Sequence, residues 1–384
     1  MTTSWPRIAL LYAIGVVAAG QLGIVPPLVP ALQRDLGLSL AGAGMAVSIV
    51  TLVGAALGLA AGHWCEQIGH ARALQLGLLV MAAAAALCAM ADDAPLLLAA
   101  RGLAGIGYLL VVVAAPSLMA LLTEPRHHAM TLSLWGTFVP AGIALAGLLA
   151  ADFVDGAAWR ALFGIDVAVL ALMVVGALLG IPAVRASPGE APGGGSPRLG
   201  ASLPLAVAFF CFALLFLALA GLLPAYLVQQ RGLAAAEAGR VIAIATALGI
   251  PGSLAAAWLM RRGASPAHLT AIGLVASTAL AALSFADVTL SVAVTGFAIA
   301  FAVGGLVPAA AFASVPLVAS DARAIGPING LIAQAGSLGS LAGPPTLALW
   351  VGWTGWSWAP LLLLAIALVG AAAALGIRRA SPRP

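Results

Sequence analysis

Charge is what this sequence has least of. Only 7% of its 384 residues are Asp, Glu, Lys or Arg, against roughly 25% in an ordinary soluble domain. That is too little polarity to coat a water-soluble globule, and a nucleic-acid binder or a disordered chain is excluded on the same ground. Lysine is absent, so the net charge of +4 comes from arginine alone. Without lysine there is no Gly-x-x-x-x-Gly-Lys phosphate loop, which excludes ATP-driven work within the chain. The three cysteines, Cys65, Cys88 and Cys211, form no Cys-x-x-Cys pair. A disulfide framework and a thiolate metal site are therefore not expected. The histidines (His63, His70, His127, His128 and His268) lack neighbouring carboxylates, and the acids are scattered singly. Neither a metal centre, nor a cofactor, nor the paired acids of a membrane enzyme is expected.

What fills the chain is apolar: 63% of its residues are hydrophobic. Runs of about 20 such residues span a bilayer as helices. Twelve lie near 7–29, 42–64, 73–91, 95–120, 129–151, 160–183, 204–228, 239–260, 266–286, 290–316, 325–350 and 356–377. The expected class is an all-α integral membrane protein of twelve spans. Arginine placement orients it. With a cytoplasmic N-terminus, Arg7, Arg72, Arg126, Arg185, Arg198, Arg261, Arg262, Arg323, Arg378, Arg379 and Arg383 fall inside, and only Arg34, Arg160, Arg231 and Arg240 fall outside. This is the positive-inside pattern, and it puts both termini in the cytoplasm.

The longest break, Arg185 to Ser202, is rich in Pro, Gly and Ser and reads as a linker. It divides the chain into six spans at 1–184 and six at 204–384, with the linker at 185–203. The halves resemble each other weakly. Pro30 and Pro224 are 194 residues apart, as are Trp64 and Trp258. Leu36-Gly37-Leu38 matches Arg231-Gly232-Leu233, and Gly69 matches Gly263. Tryptophan and proline recurring at one offset point to an internal duplication.

Two motifs extend this. Between spans two and three the chain reads Gly62-His63-Trp64-Cys65-Glu66-Gln67-Ile68-Gly69-His70-Ala71-Arg72, and span four carries Arg101-Gly102-Leu103-Ala104-Gly105-Ile106-Gly107. These resemble the Gly-x-x-x-Asp-Arg-x-Gly-Arg-Arg loop and the Arg-x-x-Gln-Gly-x-Gly span of major facilitator superfamily transporters. Glu66 stands for Asp, Ala104 for Gln, and the arginine run is reduced to Arg72. The Gly-Pro motif of drug/proton antiporters is not matched by Gly136, Pro140, Gly142 and Gly147.

The resemblance implies two six-helix bundles rocking about a central cavity. It implies a cytoplasmic gate at Gly62, Glu66, Gly69 and Arg72, with Arg261 and Arg262 as the counterpart in the second half. The alternative for these charges is that they mark topology only. Gly54, Gly58, Gly339 and Gly343 on spans two and eleven, and Gly142, Gly147, Gly249 and Gly252 on spans five and eight, would form surfaces where the halves meet, or else plain helix packing. Arg101, with Gly105 and Gly107, would serve coupling or anion contact unless it snorkels to the interface. Asp166, the one carboxylate clearly inside a span, is either a proton relay or a partner of Arg101 or Arg160. Gln21 occupies a place where many proton-driven exporters carry an acid, which weighs against proton coupling. Gln21, Tyr108, Trp135, Thr137, Tyr226, Asn329 and Gln334 are candidate cavity residues or interhelical hydrogen-bonders. Tyr226, Trp350, Trp353, Trp356 and Trp358 are alternatively interfacial anchors.

The expected function is secondary transport of a small organic solute across a bacterial inner membrane by alternating access. Proton coupling, uniport and solute exchange all remain open. A substrate-sensing membrane protein that keeps a transporter fold is the alternative. The expected partners are the solute and the lipid bilayer, with no nucleic acid, for a monomeric chain without enzyme activity.

Overall fold

The computed structural model describes residues 3–124, 127, 131, 134–155, 158–182, 199–319 and 325–377. The apolar runs are helical. In chain order they form α1 (Trp5–Gly23), α2 (Val29–Leu36), α3 (Leu40–Ser48), α4 (Leu52–Ile68), α5 (His70–Ala89), α6 (Ala94–Leu121), α7 (Phe138–Ala150), α8 (Ala158–Gly180) and α9 (Leu199–Arg231). Then follow α10 (Ala235–Ala247), α11 (Gly249–Arg261), α12 (Pro266–Ser284), α13 (Leu290–Gly304), α14 (Leu306–Ala313), α15 (Val315–Val318), α16 (Ile325–Thr354) and α17 (Ala359–Leu375). No strand occurs among the described residues. Ten helical stretches among them are long and apolar enough to cross a membrane, and Phe138–Phe153 is apolar but shorter.

The first two runs, expected as continuous helices, are each broken. Span one stops at Gly23, passes through a 3₁₀ turn at Pro26–Leu28 and resumes in α2. Pro26 and Pro27 have no N–H to continue the ladder. Span two is interrupted by a 3₁₀ turn at Ile49–Thr51. Both breaks leave a helix C-terminus inside the protein, with carbonyls that need partners. Two helix starts carry side-chain caps: Asp93 accepts from the Leu96 N–H at 2.8 Å at the head of α6, and Ser39 accepts from the Gly42 N–H at 3.1 Å at the head of α3.

The glycines matched between the halves share a backbone conformation. Gly69 and Gly263 both have positive φ (+87° and +93°), and so do Gly37 and Gly232 (+63° and +70°). Matched glycines therefore turn the chain at matched places, where a side chain would be strained.

In the first half α1 lies on α7, and α5 packs between α6 and α8; in the second, α9 packs on α16 and α17, and α12 on α13 and α17. Across the halves, α3 and α4 meet α16, and α7 meets α10. The end carrying Trp5, Gly69 and Gly180 is called here the linker end, and the opposite end the far end. At the far end one core cluster joins Val47 and Trp159 of the first half to Leu217 and Ala225 of the second. Outward faces are apolar: Leu172, Leu179, Leu254, Leu283 and Leu361 are exposed. A helix that is hydrophobic all round suits a bilayer and not water.

Candidate functional site

Arg101 is the centre of the site. It sits seven residues into α6, about 10 Å along the helix, and is 0% exposed. Snorkelling to the interface is thereby overturned: the guanidinium turns inward to the two helix breaks. Its Nε donates to the Ala46 carbonyl at 3.2 Å. Its Nη2 donates to the Gln21 carbonyl. Ala46 lies in the last turn of α3 and Gln21 in the last turn of α1. Such carbonyls lack intrahelical donors and carry the negative end of the helix dipole. One buried cation thus satisfies two helix C-termini, which offsets part of its desolvation cost.

The Gln21 side chain extends the network. Its Oε1 accepts from Arg101 Nη1 at 3.0 Å, and its Nε2 donates to Asp166 Oδ2 at 2.7 Å. The amide can point only one way, because Arg101 offers donors and the carboxylate offers acceptors. Asp166, half-buried on α8, therefore connects to Arg101 through Gln21. A pair with Arg160 is not formed. That residue donates to the Ala91 carbonyl at 2.9 Å, approaches Asp92 at 3.4 Å and lies over the Trp159 ring. Gly105 lets the assembly close: a Cβ there would lie 3.2 Å from Val50 Cα, in the 3₁₀ turn of span two. Gly107 meets α5 in the same manner, at Met81 N.

The other candidates divide. Tyr108 packs against a first-half cluster of Leu22, Val50, Ala84, Ala104 and Ile143, and Phe216 of the second half packs against the same cluster. Gln334 donates to the Ala55 carbonyl at 2.9 Å, also across the halves. Thr137 hydrogen-bonds Tyr12 at 2.9 Å, and Trp135 stacks on Phe138. Asn329 is exposed. Tyr226 is 3% exposed within a cluster of Phe285, Phe297 and Trp356, and it accepts from Arg231 Nε at 3.0 Å. That places it in the core of the second half and not on a cavity wall.

At the proposed gate, the surroundings of Gly62 and the side chain of Glu66 lie outside what is described. Arg72 lines a recess with Arg7 and Gln75, Arg261 is exposed, and Arg262 lies 3.9 Å over the Trp258 ring. Of the glycines, Gly54 meets Ser337, Gly58 meets Gln334 and Gly147 meets Ala243, all across the halves. Gly339 and Gly343 instead receive Phe210 and Leu214 of α9. Gly142 receives Ala19, and Gly249 and Gly252 receive the Phe301–Gly305 stretch. These last five are close approaches within one half.

A further cross-half contact involves Arg240, read from the sequence only as a topology marker. Arg240 on α10 pairs with Asp152 at the far end. Beside it Gly239 packs on Pro27, where a Cβ would come within 2.8 Å. Opposite charges near the same ends of two spans were the available signal.

The geometry defines a polytopic helical membrane protein with a buried charge network among its described residues. A sequence profile of the Major Facilitator Superfamily matches residues 11–344, and the chain belongs to that family of membrane transporters. Among curated relatives, it is 31% identical over 147 residues to the Methylenomycin A resistance protein of Bacillus subtilis (38% of this chain, 32% of that protein). It is 26% identical over 175 residues to the multidrug efflux pump LfrA of Mycolicibacterium smegmatis (45% and 35%). It is 27% identical over 177 residues to the methyl viologen resistance protein SmvA of Salmonella typhimurium (46% and 36%). The chain thus spans about a third of the length of these relatives. A crystal structure of a bacterial homologue of the human lysosomal transporter Spinster, inward-facing and occupied, shares the fold at 15% identity. Its TM-score is 0.77, and the match covers 97% of this chain and 95% of that one.

Proposed function

We propose that this chain is a secondary transporter of a bacterial inner membrane that exports a small, largely apolar organic solute by alternating access. In this reading twelve spans form two bundles, 1–184 and 204–384, joined by the 185–203 linker, with both termini cytoplasmic and a monomer as the working unit. The observation that carries it is the set of small residues at which α3 and α4 meet α16 and α7 meets α10. Such smooth surfaces let packed helices separate and re-form. The names of the drug-resistance relatives support export, and the apolar cluster against which Tyr108 and Phe216 each pack supports an apolar solute.

Coupling is assigned to Asp166. With the carboxylate ionised, the Arg101–Gln21–Asp166 row is electroneutral. A proton on Asp166 removes the negative charge that holds the Gln21 amide and leaves an unbalanced guanidinium at the breaks of spans one and two. Those spans border the inter-half surface, so the proton biases the rocking equilibrium. Glu66, Arg72, Arg261 and Arg262 remain candidates for the linker-end gate.

The test is flux from proteoliposomes with pooled lipophilic cations, anions and neutral aromatics. Saturable flux of one class, competed by its members, is expected. Saturable binding without flux would replace transport by sensing.

A further inference from the structure

Three helix ends at the linker end of the first half enclose a recess of about 380 Å³. Arg7 enters from α1, Arg72 and Gln75 from α5, and Leu178 and Leu179 from the end of α8. Close packing behind it fixes its shape. Gly180 receives Leu10, and a Cβ there would lie 2.8 Å from Leu10 Cδ2. Arg7 stands three residues before Leu10, on the same α1 face. Gln75 donates to the Ala177 carbonyl at 3.4 Å and ties α5 to α8. Arg72, three residues before Gln75, lines the recess beside it.

Among the described residues the lining holds two guanidiniums and no carboxylate. Neither arginine has an ion pair among the described residues. The rim is the opposite in character: Leu178 is 59% exposed and Leu179 85%. Free leucines at the end of a membrane-spanning helix face acyl chains, and Trp5, exposed at the same end of the first half, is an interfacial aromatic. The recess therefore lies where head groups meet hydrocarbon.

We infer that it binds the head group of an anionic phospholipid from the linker-end leaflet. The phosphate sits between Arg7 and Arg72, and an acyl chain lies along Leu178 and Leu179. A soluble anion would use the arginines but gain nothing from the leucine rim. Basic pockets between helices at a membrane surface suit such head groups.

The full chain, delipidated in detergent, is titrated with phosphatidylglycerol or phosphatidylcholine, and bound lipid is counted by native mass spectrometry. Preferential retention of phosphatidylglycerol is expected. Each arginine near an anionic surface contributes about fivefold, so Arg7→Gln with Arg72→Gln weakens binding about 25-fold. Arg261→Gln with Arg262→Gln removes equal charge at the same end, outside the recess, and leaves binding within about twofold. Equal loss in both double variants would overturn the site in favour of diffuse surface charge. Displacement of the lipid by equimolar inorganic phosphate would overturn it in favour of a free-anion site. If the double variant does not fold, Arg7→Gln alone decides, with about fivefold weakening expected and no change refuting.

Discussion

Gln21→Met isolates the bridge in the buried network, because Met keeps the side-chain volume and removes both hydrogen bonds. Arg101 is 0% exposed, so its Nη1 cannot find water once the amide oxygen is gone. A hydrogen bond to a charged group contributes about 1.5–3 kcal/mol, and the orphaned donor adds to that loss. Asp166 is half-buried, and water replaces part of what Gln21 donated, for less than about 1 kcal/mol. The expected destabilisation is about 3 kcal/mol. With an unfolding entropy near 0.8 kcal/mol/K for a chain of this length, the midpoint falls by about 4 °C. Thermal unfolding in detergent, followed by labelling of the buried Cys65, Cys88 and Cys211, reads it directly. Asp166→Asn alone should cost about 1 kcal/mol, and the two together should couple by about 1 kcal/mol or more. Arg101→Met should cost more than either, about 3–5 kcal/mol, because two helix C-termini lose their donor. A Gln21→Met midpoint within about 1 °C of wild type, or strict additivity with Asp166→Asn, would refute the bridge.

Three further outcomes are expected. Gly54→Val, whose Cβ would lie 2.8 Å from Ser337 Oγ, should cost about 1–3 kcal/mol and slow flux, whereas Gly58→Ala, with its Cβ 3.7 Å from Gln334, should leave flux near wild type in the same assay. Gly69→Ala and Gly263→Ala, at matched positive-φ positions, should each lose about 1 kcal/mol in denaturant melts, with similar losses in the two halves. The Asp152–Arg240 pair is exposed, so Asp152→Asn should cost less than about 1 kcal/mol by the same melts. Asp152→Cys with Arg240→Cys, joined by a cleavable bifunctional thiol reagent, should stop flux until the link is cut.

Much of the fold is written in run length and local signals. Apolar runs gave helix positions to within a few residues because lipid demands a continuous ladder. The glycines at 37, 69, 232 and 263 marked the duplicated turns because each sits at positive φ. The break in span one was readable from Pro26 and Pro27. The break at Ile49–Thr51 was not, for its residues carry no helix-breaking signal; the turn lies against Gly105 of a distant helix. Arg101 and Asp166 stood out as charges inside spans. What holds them did not, because two of the three acceptors are backbone carbonyls and the bridge joins residues 145 apart. Gln21 looked like a missing acid. In place it orients an acid supplied by span six. The glycines of α16 left two readings, a surface between the halves or plain helix packing, because spacing gives a stripe but not its direction; contact with α9 decided for packing.

The most direct measurement is solute accumulation in proteoliposomes under an imposed pH gradient, with Asp166→Asn beside the wild type. The account predicts gradient-driven accumulation in the wild type and only downhill flux in Asp166→Asn, with the variant folded and still binding solute. Undiminished gradient-driven accumulation in Asp166→Asn would contradict it and reduce the Arg101–Gln21–Asp166 row to a structural brace.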